Sequence, residues 1–154
     1  MDFTDGRGNI EKDWGRSFPI SYVWIQSNHF DDESTKLFCS VAIIPFLSFS
    51  FTGYICSLIH QGVEYRFATY NGTKLIVNER SDTSVHLKFE NSRYSLEIKG
   101  DLTDTKKLLA PKMGLMDKTI KEGLSGKVEI LLKDKTNQII LNSKRLSVWN
   151  GIGG

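Results

Sequence analysis

The sequence predicts an all-β domain, with about eight to ten short antiparallel strands forming a barrel or a sandwich. Two observations carry this reading. Phe49, Phe51, Gly53 and Ile55 alternate with Ser48, Ser50, Thr52 and Tyr54, the period-two pattern of a half-buried strand. Turn dipeptides such as Gln61-Gly62 and Asn71-Gly72 separate the alternating runs, and almost nothing in the chain reads as helix.

Residues 1–19 form an irregular, charged lead-in that ends at Pro19, because the residue before a proline is pushed away from helix. A first strand runs from Ile20 to about Phe30, and Asp31-Asp32-Glu33-Ser34 makes a polar turn. Leu37 to Ile44 is a second strand, rich in Val, Ile, Phe and Cys, that Pro45 is expected to stop. Phe46-Leu47-Ser48 reverses the chain into the third strand, where Gly53 suggests a bulge or bend. Gln61-Gly62 leads to Val63 through Tyr70, and Asn71-Gly72 is the strongest short turn. Lys74–Asn78, Val85–Phe89 and Tyr94–Ile98 continue the meander. Residues 101–123 read as one long apolar loop or lid, with a helical turn over Met116 to Lys121. Val128–Leu132 and Ile139–Val148 are the final strands.

The 154 residues, 40% of them hydrophobic, suffice for one core and do not require a second domain. Twenty basic residues against eighteen acidic ones leave +2, with neither sign gathered into a block, which argues against a nucleic-acid partner. The opening Met1–Gly8 is polar and acidic, unlike a secretory leader, so a cytoplasmic chain is expected. Val41–Ile59 is the most apolar stretch. Its proline and serines break it below the roughly 18 apolar residues of a spanning helix, so no integral membrane segment is expected. His29, His60 and His86 are scattered, which predicts no metal site. Cys39 and Cys56 would sit opposite each other in a hairpin centred near Leu47, as two buried thiols or as a disulfide.

The first strand is the least ordinary stretch. Tyr22, Trp24, Gln26, Asn28 and Phe30 share one parity, so an extended chain places an aromatic wall set with amides on one face. That combination suits an organic ligand. Buried amides must find partners, either in a ligand or in a neighbouring loop.

Glu11-Lys12-Asp13-Trp14-Gly15, Ser17-Phe18-Pro19 and the Trp24-x-Gln26-x-Asn28 strand resemble the tocopherol cyclase family, as do Arg66 to Tyr70 with Gly72, and Ala110-Pro111 with Gly114 and Met116. The resemblance covers nearly all of this chain and the later half of the family. It implies a lipocalin-like barrel or half-barrel, in which a preceding half or a second copy, as a homo-oligomer, would cover one face. It further implies a small lipophilic, prenylated quinol ligand and proton-initiated ring closure to a chromanol, with no cofactor.

Such chemistry needs a buried acid, aromatic faces near a carbocation, groups that hold the quinol, and exclusion of water. Asp13 and Glu11 are the candidate acids, or else members of a surface ion-pair cluster. His29 is a candidate base or a solvated strand end. Trp14, Tyr22, Trp24, Gln26, Asn28, Arg66, Tyr70 and Met116 are the candidate ligand contacts. Trp14 and Trp24 could instead be core, Arg66 could pair with a carboxylate across the sheet, and Met116 could be ordinary packing. A carrier of lipophilic ligands and an isoprenoid double-bond hydratase are the alternative functions.

Overall fold

The computed structural model describes residues 19–146 and 149–153, apart from the side chains of residues 117, 124 and 145–153. Ten strands follow in order: β1 (Ser21–Ser27), β2 (Lys36–Phe46), β3 (Phe49–His60), β4 (Val63–Ala68), β5 (Lys74–Arg80), β6 (Ser84–Glu90), β7 (Tyr94–Lys112), β8 (Leu115–Asp134), β9 (Ile139–Leu146) and β10 (Trp149–Gly153). All pairings are antiparallel, and the spatial order is β4-β3-β2-β1-β10-β8-β7-β6-β5, with β9 also on β8.

The two ends of this path, β4 and β5, are not paired, so of the expected forms, a barrel, a half-barrel or a sandwich, the closed barrel is not formed among the described residues. The sheet instead bends until its two wings face each other, as a half-barrel or sandwich. Rings from opposite wings meet in the middle. Tyr54 and Phe67 of the first wing lie 5.6 and 6.1 Å from Phe89, and Tyr65 lies 5.0 Å from Tyr94. Val23, Ile25, Cys39, Val41, Leu58, Leu87, Ile98 and Ile130 fill the remainder with essentially no exposure. Burying a side chain of this size contributes about 1.5–3 kcal/mol, which makes this layer the main source of stability.

Tyr54 Oη donates to the Thr73 carbonyl at 2.6 Å and ties the first wing to the approach of β5. Asn71-Gly72 is therefore a turn, as expected, but it joins two strands that do not pair. Asn71 Oδ1 accepts from the Ala68 amide and the Thr73 hydroxyl, so the asparagine braces a corner rather than a hairpin.

Several expectations are corrected. Residues 101–123 are not a loop or lid, and Met116–Lys121 is not helical. These residues belong to the long β7–β8 hairpin, paired from Tyr94↔Asp134 to Lys112↔Leu115. Met113 and Gly114, with φ of 50° and 88°, make its two-residue turn. Pro45 does not stop β2. It pairs with Ser50 near the hairpin end, beyond the start of β1, where its missing donor faces no neighbouring strand. Gly53 marks no bulge, since its register opposite Ala42 is regular. A Cβ there would meet Ile44 Cδ1 at 2.7 Å, so a side chain at this position would have to displace the end of Ile44.

Cys39 and Cys56 are direct cross-strand partners, and both are buried free thiols. Burial, and then the hydrogen bond with Cys39, push the Cys56 thiol well above its usual range.

Candidate functional site

The alternation of β1 sends Val23, Ile25 and Ser27 into the core, so the interior is lined by the parity opposite to the aromatic one. Tyr22 and Trp24 lie on the other face of the sheet. There they build a second, smaller apolar cluster with Ala42, Ala110 and Ile120. Tyr22 and Trp24 of the expected aromatic wall thus back the core instead of lining the space between the wings, while Phe30, past the strand end, joins the main core.

What brings this wall to a carboxylate is β10. Tyr22 pairs with Gly153 and Trp24 with Gly151, while Gly151 pairs with Glu122 on β8. Paired residues share a face, and the two glycines place no side chain between β1 and β8 there. Tyr22 Oη reaches across the gap and donates to Glu122 Oε1 at 3.3 Å, long for a bond of this type. Burial, followed by the charge and hydrogen bond of Glu122, pushes the Tyr22 phenol well above its usual range. Tyr22 is 6% exposed, whereas Glu122 is half-buried and open to an approaching molecule.

The face continues outward from this pair. Trp24 packs edge-on against Phe38 at 6.1 Å. Gln26, Phe38, Ser57 and Arg66 form one row across β1 to β4, with Gln26 half-buried and Asn28 half-buried just past the strand. Arg66 stands three strands from Gln26, roughly 14 Å at the usual strand spacing. It is engaged by Glu64 on its own strand at 2.8–2.9 Å, not by a carboxylate across the sheet. The bond with Glu64, with a smaller one from Tyr70, raises the Arg66 guanidinium, and Ser57 and then Arg66 hold Glu64 low. Arg66 and Tyr70 are exposed together at the edge and do not join Tyr22 and Trp24.

His29 is exposed beyond β1, and Met116 is exposed near the β7–β8 turn, covering no part of the Tyr22 cluster. Glu11, Asp13 and Trp14 lie outside the described residues. Glu122 is the residue that sequence reading missed. Its signal was the alternation of Ile120 and Glu122 with Thr119 and Lys121 after the Met113-Gly114 turn.

Two other polar groupings do not make a site. Thr35 Oγ1 and Asp32 Oδ2 approach the same His60 nitrogen, Nδ1, at 2.9 and 3.4 Å, so no relay through the ring exists. The cluster pins the 31–35 turn to β3. A groove of about 330 Å³ along Glu79, Arg80, His86, Lys99 and Asp101 is rimmed by charged side chains. Among the described residues no three His, Cys, Asp or Glu side chains are grouped to hold a metal, and no helix is long and apolar enough to cross a membrane.

An antiparallel sheet folded over one core, with an acid and aromatic rings on its far side, defines the class: an all-β domain carrying a candidate site on a sheet face. The family model described as tocopherol cyclase-like matches residues 1–154, and the chain belongs to that family. Comparison with curated proteins and with solved structures gives no match.

Proposed function

We propose that the chain binds a lipophilic, prenylated aromatic molecule of the quinol type on the Tyr22–Trp24 face and closes its ring to a chromanol. The observation that carries this reading is the Tyr22–Glu122 contact, which sets a carboxyl group at the rim of the apolar cluster of Tyr22, Trp24, Ala42, Ala110 and Ile120. In the reaction a carboxylic acid gives its proton to the prenyl double bond. The tertiary carbocation that forms is attracted by aromatic faces, the quinol oxygen bonds to it, and the hydroxyl proton returns to the carboxylate. Nothing is oxidised or reduced, and the product is an isomer of the substrate.

Glu122 is the acid among the described residues, and Asp13 and Glu11 are the acids offered by the N-terminal segment. Tyr22 keeps its proton through the working pH range and donates to the Glu122 carboxylate that remains once the proton has left. Trp24 flanks the cation, and Gln26 and Asn28 offer amides to the quinol oxygens.

A carrier function is the second reading, favoured by the partial exposure of Glu122, which lets water reach the carboxylate. The same exposure admits water as nucleophile, which would give a hydrated prenyl product.

Incubation with a prenylated quinol, followed by product analysis, separates the three. A chromanol lost in Glu122→Gln or Asp13→Asn, with ligand affinity kept, supports cyclisation and identifies the acid. A tertiary alcohol indicates hydration. Tight binding with substrate recovered unchanged indicates a carrier.

A further inference from the structure

The described surface is unevenly apolar. Of its fifteen exposed large hydrophobic side chains, eleven lie on the β2–β3 turn, on the β7–β8 turn, or at Ile20. Leu47 is 92% exposed and Leu115 68%, with Phe46, Phe49, Leu109 and Met116 each above half. Isolated exposed hydrophobics are ordinary, but a concentration of this kind marks a surface that meets something apolar.

The two turns project from the same end of the molecule. The Ile20 amide donates to the Ile43 carbonyl at 3.0 Å, and the Ile20 carbonyl accepts from Lys118 Nζ at 3.0 Å. Leu47 lies four residues beyond Ile43 along β2, and Gly114 lies four residues from Lys118 along β8. At about 3.3 Å per residue, each turn extends roughly 13 Å past the start of β1.

Their charges differ in a useful way. From Val41 to Ile59 the β2–β3 hairpin has no charged residue at all. Between Thr105 and Met116 the β7–β8 turn has Lys106, Lys107 and Lys112, all exposed, and no acidic residue.

We propose that this end of the protein docks on a lipid bilayer with anionic headgroups. The two apolar turns enter the boundary of the acyl chains, Lys112 beside the tip reaches back to the lipid phosphates, and Lys106 and Lys107, about 20 Å behind the turn, add to the attraction toward the anionic surface. A second copy is the poorer occupant, because apposing two such ends brings like-charged lysines together. The proposal rests on exposure and charge at the turns and is independent of what the Tyr22 face binds.

Co-sedimentation of the full chain with phosphatidylcholine vesicles, with and without phosphatidylglycerol, tests it. The expected result is binding to the anionic vesicles that weakens as salt is raised. Lys107→Glu with Lys112→Glu should lower the partition by tenfold or more, and Leu47→Ser with Leu115→Ser by a comparable factor. All four positions are exposed, so circular dichroism should report an unchanged fold. Absence of vesicle binding, or binding indifferent to both double variants, overturns the proposal. So does sedimentation velocity showing a dimer that Leu47→Ser with Leu115→Ser dissolves.

Discussion

Tyr22 on β1 and Glu122 on β8 are not on neighbouring strands, yet the Tyr22 hydroxyl donates to Glu122 Oε1 across the glycines of β10. If this contact serves ring closure, Glu122→Gln removes the transferable proton and should cut turnover by about 100-fold to 10,000-fold. Ligand affinity should stay within about threefold, since the amide keeps the shape. Steady-state turnover measured beside equilibrium binding checks both. Equal losses in the two would make Glu122 a binding residue instead.

The raised Tyr22 phenol has a consequence for alkaline stability. The unfolded chain releases this proton near the ordinary tyrosine value of about 10, whereas the folded chain holds it to higher pH. The associated stability is fully present below about pH 10 and is lost as pH rises above it. Thermal unfolding of Tyr22→Phe followed from pH 8 to 11 should therefore show a shallower alkaline decline than wild type. Parallel curves would mean that the phenol is not perturbed.

Two glycines should respond differently to alanine. At Gly123 an added Cβ would run into the Asp104 carbonyl and press on Leu102 Cδ2 at 3.2 Å, close to the register shift between β7 and β8. Gly123→Ala should cost about 2–3 kcal/mol, within the range for overpacking a tight contact. At Gly72, φ is 77° and nothing lies within 4 Å, so Gly72→Ala meets only the left-handed backbone penalty of about 1–2 kcal/mol. Urea unfolding of the two variants measures the difference, and a larger loss at Gly72 would contradict it.

The antiparallel, nearly helix-free fold was legible because it rests on local rules. Gln61-Gly62, with both φ positive, closes a hairpin as its composition demands. The Leu47 reversal set Cys39 opposite Cys56, as counting from the turn foretold. What could not be read was which face of β1 points inward. Val23 and Ile25 are as apolar as Tyr22 and Trp24, and a strand covered on both faces carries no parity signal. The 101–123 segment was misread because Ala110-Pro111 and several lysines obscured its alternation, although Met113-Gly114 announced the turn. The approach of Tyr22 to Glu122 depends on β10, a strand far along the chain whose pairing with β1 no local pattern encodes.

The buried thiols give a probe of global opening. Cys39 and Cys56 have no exposed surface, and the Cys56 thiol is shifted against ionisation. A thiol reagent should therefore modify both only as fast as the chain unfolds, with labelling accelerated by urea along the unfolding curve. Rapid labelling of the native protein would show that the two wings separate locally.

The most direct test is to titrate isotopically labelled protein with a prenylated aromatic ligand and follow its amide and indole resonances. A ligand on the proposed face should shift the Trp24 indole and the amides of Tyr22, Glu122, Gly151 and Gly153, leaving the groove around His86 and Lys99 untouched. Shifts confined to that charged groove, or to the core residues Leu58, Phe67 and Phe89, would contradict a site built on Tyr22, Trp24 and Glu122.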